Sequence, residues 1–473
     1  MDAIHSRQTH TPDDPFVWKR HPSPKPRVPP TKATDSKKSS LTPHVPLVRL
    51  EGWPTEFPDD LRQYREEVLG KEWSSDEEKH RAEIAPWVWH HRGDADLLQS
   101  LALSNDSAVA ERAREEMAVR GIVPYYGRVN ASFVVLIRNR ELREFRATMR
   151  QLEDRFNGRH HYPYVFLNDE PFTNEFMQTI AASTTSNVTF ALIPRDHWSL
   201  PAFVDEGRAL VARERMAANN VIYGGSLSYR HMCRFNSGFF YKHPLLRSVD
   251  WYWRVEPGVH FYCDLDYDPF RFMEENGKLY SFVIALKELE LTIPSLWDHT
   301  LAYMEATNAT SDLMGFFVTK EGEYNLCHFW SNFEIASLNW LRSPAYEEYF
   351  AMLDRAGGFF MERWGDAPVH SLAAGMLLDY EQVHFFDDIG YKHANFIHCT
   401  ESTKCQCPLK FDSLDTSPGS CLPRWKSYKP RRWTVRDSRE AGRLVRERTK
   451  FRITHEGAHV AERRMWYDFF AMD

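Results

Sequence analysis

From residue 131 onward, short apolar runs alternate with amphipathic stretches. "ASFVVLI", starting at Ala131, is a β-branched run suited to a buried strand, and "RNRELREFRATMRQLEDRF" follows with helical periodicity. "YPYVFLND" and "NVTFALI" repeat the strand pattern on either side of "TNEFMQTIAAST", which reads as helix. Strand, helix, strand, helix, strand is the rhythm of an α/β protein with a parallel sheet. "YGGSLSYRHMCRFNSGFFYKHPLL" is predicted as one helix opened by the Gly224-Gly225 turn. "VDWYWRVEP" is predicted as a strand whose carboxyl end delivers Glu256, where open α/β sheets bind their ligands.

The flanks differ. Residues 1–50 are rich in proline, lysine and serine and carry too little apolar surface to offset the entropy of ordering, so a disordered tail is expected. Residues 51–125 hold helix formers ("DDLRQYREEVLGKEW", "DSAVAERAREEMAVRG") with Gly121 as a stop, and read as a helical extension. The main domain is expected over 126–425, and a basic helical extension over 426–473.

Composition narrows the function. The chain has 473 residues, is 42% hydrophobic and 14% aromatic, and carries a net charge of −7. A net negative chain has no global field for nucleic acid, so none is expected as a partner. No apolar run approaches the ~18–20 residues of a membrane span, and the first residues lack the apolar core of a signal peptide. Seven cysteines leave at least one unpaired. Cys233, Cys263 and Cys327 are scattered singly in hydrophobic surroundings, whereas Cys399, Cys405, Cys407 and Cys421 crowd together and are expected to form disulfides. Asn105, Asn130, Asn187 and Asn308 each begin an N-x-S/T triplet, a weak pointer to the secretory route.

Four stretches hold candidate chemistry. In "RVEPGVHFYCDLDYD", Pro257 ends the strand and leaves Glu256 at its tip, where a hard carboxylate oxygen suits Mg²⁺ or Mn²⁺; an ion pair with Arg254 explains the same spacing. Asp264, Asp266 and Asp268 lack the glycine and closing glutamate of a calcium loop and are expected to cap or line the next turn. "NLCHFWSNFEIASLNW" places Glu334 and His328 among aromatic rings, where a partly desolvated carboxylate suits acid, base or nucleophile work; a carboxylate at a helix N-terminus is the alternative. "GGFFMERWGDAPVHS" holds Asp366 ahead of a helix bearing His370, with simple helix capping as the alternative role. "VHFFDDIGYKHANF" reads as a strand, a turn at Gly390 and then His393, which matters only where it meets Glu256 on a metal.

Taken together, "YVFLNDEPF", "PRDHW", "YGGSLSYRHMCRFNSGFF", "WYWRVEP", "TIPSLW", "NLCHFWSNFEIA", "RSPAYEEYF", "GGFFMERWGDAPVHS" and "DIGYKH" resemble the fungal Golgi α-1,2-mannosyltransferase family over about Ala131 to Cys421. The resemblance implies a GT-A-type α/β fold with a mixed, mostly parallel central sheet flanked by helices. It implies retaining transfer of mannose from GDP-mannose to the 2-hydroxyl of an acceptor mannose in O-linked and N-linked mannosylation, with Mn²⁺ as cofactor. By resemblance, Glu256 and His393 are metal ligands and Glu334 is the proposed nucleophile. Tyr229 and Asp366 line the sugar site, and Arg138 lies where the first strand meets the nucleotide. Implied partners are the nucleotide sugar, a mannose-containing glycan or glycoprotein acceptor, and other mannosyltransferases in a complex. The implied location is the Golgi lumen, membrane-associated, although the family's anchor has no counterpart in the hydrophilic first residues. One departure stands out: the family pattern has aspartate two residues after the metal glutamate, and this chain has Gly258. A weakly catalytic member serving as a mannan-binding or scaffolding subunit is the competing expectation.

Overall fold

The computed structural model describes residues 73–437, apart from 123, 125–127, 409–414 and 416. The 1–50 tail and most of the 426–473 extension lie outside the described residues. In chain order the strands are β1 Trp89–His91, β2 Ala131–Leu136, β3 Tyr164–Asn168, β4 Val188–Leu192, β5 Trp251–Arg254, β6 His260–Phe261, β7 Tyr280–Phe282, β8 Ala285–Lys287, β9 Cys327–Phe329, β10 Glu334–Ser337, β11 Val383–Phe385, β12 Tyr391–His393 and β13 Phe396–His398.

Eight of these form the central sheet, in the order β1-β4-β3-β2-β5-β10-β7-β11. β2, β3, β4 and β5 are mutually parallel neighbours, with Phe133 opposite both Tyr164 and Trp253. They carry apolar residues almost without interruption because both faces of the sheet are covered. β10 runs antiparallel to both β5 and β7, and β11 is parallel to β7. β1, from the stretch expected as an N-terminal extension, adds an antiparallel edge to β4. The mixed, mostly parallel α/β sheet expected from the sequence is therefore present.

Helices Leu142–Leu152 and Asn174–Ala181 connect the first three parallel strands. The second starts where the Thr173 hydroxyl accepts the Phe176 amide at 3.2 Å, a capping bond that satisfies one of the free amides of the first turn. The long helix predicted over 223–246 is shorter. Ser226 caps it, it spans Leu227–Gly238, and two 3-10 turns carry the chain on to β5. Beneath the sheet, Trp253 is wholly buried and packs its ring 5.4 Å from Phe133, 5.7 Å from Phe156 and 5.3 Å from Phe333. Rings this close prefer tilted or edge contacts, which fix the strand ends more firmly than aliphatic packing alone.

The four C-terminal cysteines all form disulfides, as expected. Cys399 bonds Cys407 within the group, whereas Cys405 reaches back to Cys263 and Cys421 to Cys327, two of the singly scattered cysteines. The free thiol is Cys233, buried in helix Leu227–Gly238. The Cys263–Cys405 bridge braces the small sheet β13-β12-β6, which carries His393. Gly390 leads into that sheet with its amide 3.0 Å from the Cys263 sulfur, so close that a Cβ there would sit 2.6 Å from it. Among the described residues no helix is long and apolar enough to cross a membrane.

Candidate active site

β5 leaves the sheet at Arg254. The Val255 amide still bonds Val134 at 3.2 Å, and Pro257, without an N–H, and Gly258, at φ +76°, then turn the chain. Glu256 is thereby held at the strand tip. Its Oε1 accepts from Arg254 Nη2 at 2.5 Å, and its Oε2 lies 3.4 Å from His393 Nε2. The Arg254 ion pair given as the alternative is present, and Glu256 also meets His393. Burial alone would raise the Glu256 pKa, but Arg254 and then His393 outweigh it and bring the carboxyl down to about 2. The His393 side chain is 25% exposed, Nδ1 of its ring has no hydrogen-bond partner among the described residues, and Trp330 packs edge-on at 4.8 Å.

Arg254 also reaches Asp366, with Nη1 2.6 Å from Oδ2. Asp366 is the first residue of helix Asp366–Leu377, and Gly365 occupies the capping position, so Asp366 is not the N-cap. The Ser331 hydroxyl donates to the same Oδ2 at 2.6 Å. Burial again opposes ionisation, and Arg254, His370 and Ser331 overcome it, leaving the Asp366 pKa lowered.

Glu334 opens strand β10 rather than a helix, in register with Arg254. It is fully buried. The Tyr252 hydroxyl donates to its Oε2, and His370 Nδ1 lies 2.9 Å from Oε1 and 3.1 Å from Oε2. His328, also singled out with it, is buried on β9, where burial lowers its pKa against the opposing pull of Glu288.

Tyr229, near the start of helix Leu227–Gly238, stacks on Tyr223 at 4.4 Å with the Arg363 guanidinium 5.3 Å from its ring centre. Asp366 is among the charges acting on it. Arg138, just past β2, pairs with Asp169 at 3.9 Å and donates to Ser228, the residue before Tyr229. The three aspartates that follow Glu256 in "RVEPGVHFYCDLDYD" do not assemble. Asp264 pairs with Arg155, Asp266 with Lys404, and Asp268 caps helix Pro269–Glu275.

Glu256, His393, Asp366 and Glu334 thus gather around Arg254. Tyr252, Ser331 and Trp330 were not anticipated from the sequence. For Tyr252 a signal existed: strand alternation puts residues 252 and 254 on one face, so whatever lies opposite Arg254 also has Tyr252 within reach.

A model of the glycolipid 2-α-mannosyltransferase family matches residues 94–430. The chain belongs to that family. Among curated mannosyltransferases it is 50% identical over 290 residues to an α-1,2-mannosyltransferase of Saccharomyces cerevisiae, covering 59% of this chain and 74% of the relative. It is 40% identical over 385 residues to a glycolipid 2-α-mannosyltransferase of the same yeast, covering 79% and 83%. In structure it resembles core-mannan synthase A of Aspergillus fumigatus, solved in an Mn/GDP form, with a TM-score of 0.61, 40% identity and coverage of 63% and 84%. A second solved neighbour, a mannosyltransferase of S. cerevisiae in complex with GDP, gives a TM-score of 0.58 at 32% identity, covering 70% and 97%. The chain is thus an enzyme of α-1,2-mannosyl transfer by family.

The donor set of this mannosyltransferase suits a divalent cation. An ionised carboxylate oxygen and an imidazole nitrogen face one another at 3.4 Å at a partly open edge. Among the described residues no group of three or more histidine, cysteine or acidic side chains forms a cage. A two-residue shell of this kind leaves coordination positions for ligand oxygens, as hard cations that work on phosphates require.

Proposed function

We propose that this mannosyltransferase moves mannose from GDP-mannose to the 2-hydroxyl of an acceptor mannose, with retention at the anomeric carbon and with Mn²⁺. The observation that carries this is the meeting of Glu256 with His393 while Arg254 ties Glu256 to Asp366. Glu256 and His393 would hold the cation. When bound, it would offset the negative charge that grows on the diphosphate as GDP leaves.

The remaining groups position and shield. Arg254 fixes the carboxylates of Glu256 and Asp366 against each other, so neither has to reorganise when substrate arrives. Asp366 and Tyr229 are assigned to the sugar. A carboxylate accepts hydroxyl hydrogen bonds, and an aromatic ring covers an apolar sugar face and excludes the water that would hydrolyse the donor. Arg138, at the carboxyl end of β2, is assigned to the nucleotide.

Retention needs either a covalent sugar on a carboxylate or attack from the face that the leaving group vacates. Glu334 is the carboxylate proposed for this task. Its bonds to Tyr252 and His370 support a carboxylate held in one place to stabilise the oxocarbenium-like centre. Three disulfides fit an oxidising lumen, in keeping with a Golgi location.

The test is product structure. Incubation with GDP-mannose, methyl α-mannoside and Mn²⁺ should yield a dimannoside whose NMR spectrum shows one α-1,2 linkage. A β-anomer, another linkage, or bound GDP-mannose without turnover would overturn the proposal.

A further inference from the structure

Glu334, fully buried, receives bonds from two directions. Tyr252, opposite Ala336 on the neighbouring strand, donates its hydroxyl to Oε2. His370, one turn into helix Asp366–Leu377 and 1% exposed, approaches both carboxylate oxygens through Nδ1. The other ring nitrogen, Nε2, lies 3.0 Å from the Asn236 carbonyl on helix Leu227–Gly238. A carbonyl only accepts, so Nε2 carries a proton, and Nδ1 against a carboxylate requires a second one on the line between them. The ring therefore pins Glu334 to a helix that is itself fastened to Arg254 through Asp366.

We infer that His370, assisted by Tyr252, is a positioning residue that holds the Glu334 carboxylate in one immobile arrangement for sugar transfer. This rests on Glu334 being the carboxylate of the reaction. The charged and titratable groups around His370 are Glu334 on β10, Asp366 on its own helix, Arg254 and Tyr252 on β5, and Tyr346, whose ring centre is 6.1 Å away. Burial works against the charged ring, but Glu334 and then Asp366 prevail and raise the His370 pKa above its ordinary value. Removing the ring would leave a buried carboxylate and a buried carbonyl short of donors.

The experiment compares His370→Asn, Tyr252→Phe and Glu334→Gln in the full chain, with steady-state kinetics across pH and GDP binding by calorimetry. Asparagine is too short to reach both Glu334 and the Asn236 carbonyl, and phenylalanine keeps the ring of Tyr252 without its hydroxyl. Both variants are expected to lose kcat at least tenfold, with KM for GDP-mannose and GDP affinity changed less than twofold. The wild type is expected to lose kcat toward alkaline pH as His370 deprotonates, and His370→Asn should lack that fall. Normal kcat and an unchanged pH profile in both, with Glu334→Gln inactive, would overturn the positioning role and leave the Glu334 assignment standing. Near-normal transfer by Glu334→Gln would remove the assignment on which it rests. A variant that does not fold is identified by its far-UV circular dichroism, and the other then decides.

Discussion

His393 Nε2 lies 3.4 Å from Glu256 Oε2, although the two residues come from distant parts of the chain. Strand β5 of the main sheet stops at Arg254, two residues before the one, and β12, in the disulfide-braced small sheet, supplies the other. Under the proposed function, a nucleoside diphosphate and its cation would sit at this meeting, with the other proposed side-chain roles arranged around it.

Arg254 is the hinge of that arrangement. Its side chain is only 12% exposed and it neutralises two carboxylates. Arg254→Met would leave Glu256 and Asp366 mutually repelling with little water to solvate them, at a cost of about 3–5 kcal/mol. Urea unfolding of the variant should show that loss. A loss below ~1 kcal/mol would mean that solvent reaches the pair far more freely than the burial indicates.

Gly258 stands where the family resemblance implies an aspartate. Its φ of +76° is a conformation that L side chains rarely adopt, and an added Cβ would lie 3.9 Å from the Glu144 carboxylate. Gly258→Asp should therefore destabilise by about 1 kcal/mol, a Tm lower by a few degrees. An unchanged Tm with tighter Mn²⁺ binding would show instead that aspartate here reaches the cation.

Much of this was readable beforehand, and the rest was not for physical reasons. β2, β3 and β4 are buried on both faces, so their apolar runs identify them and their order. The three- and four-residue strands β10 and β12 are too short to establish a period, and Glu334 in "FEIAS" fits a helix start as well as a strand. Asp366 looked like a cap because acidic residues commonly open helices; only the structure puts Arg254 opposite it. Cys263 and Cys327 looked isolated because their partners lie 142 and 94 residues away, and spacing carries no information at that range.

The bridges make a chemical prediction. Mass spectrometry without reduction should find Cys263–Cys405, Cys327–Cys421 and Cys399–Cys407, with Cys233 the only free thiol. Burial, with Asp366 nearby, pushes the Cys233 thiol well up, so it should resist alkylation until the protein is unfolded. Each of the two long bridges should contribute up to about 4–5 kcal/mol by restricting the unfolded chain. Ready labelling of several thiols in the native protein would contradict the pairing.

His243 supplies a pH prediction. It is wholly buried, with Nε2 2.9 Å from the Leu192 carbonyl, and burial holds its pKa down to about 4 against 6.5 in the unfolded chain. The unfolded state therefore binds the extra proton first. The neutral ring costs nothing above pH 6.5, and stability is lost as pH falls toward 4. His243→Gln keeps an amide donor and does not titrate. Between pH 7 and pH 5 the variant should gain about 2 kcal/mol relative to the wild type. Parallel unfolding curves at the two pH values would contradict the buried neutral form.

The central claim is tested most directly by calorimetric titration of GDP, with and without Mn²⁺, into the wild type, Glu256→Ala and His393→Ala. The wild type should bind GDP at least tenfold more tightly with Mn²⁺. Both variants should lose that gain while their metal-free affinity stays within about threefold. A Mn²⁺ enhancement that survives both substitutions would place the cation elsewhere and contradict the shared site.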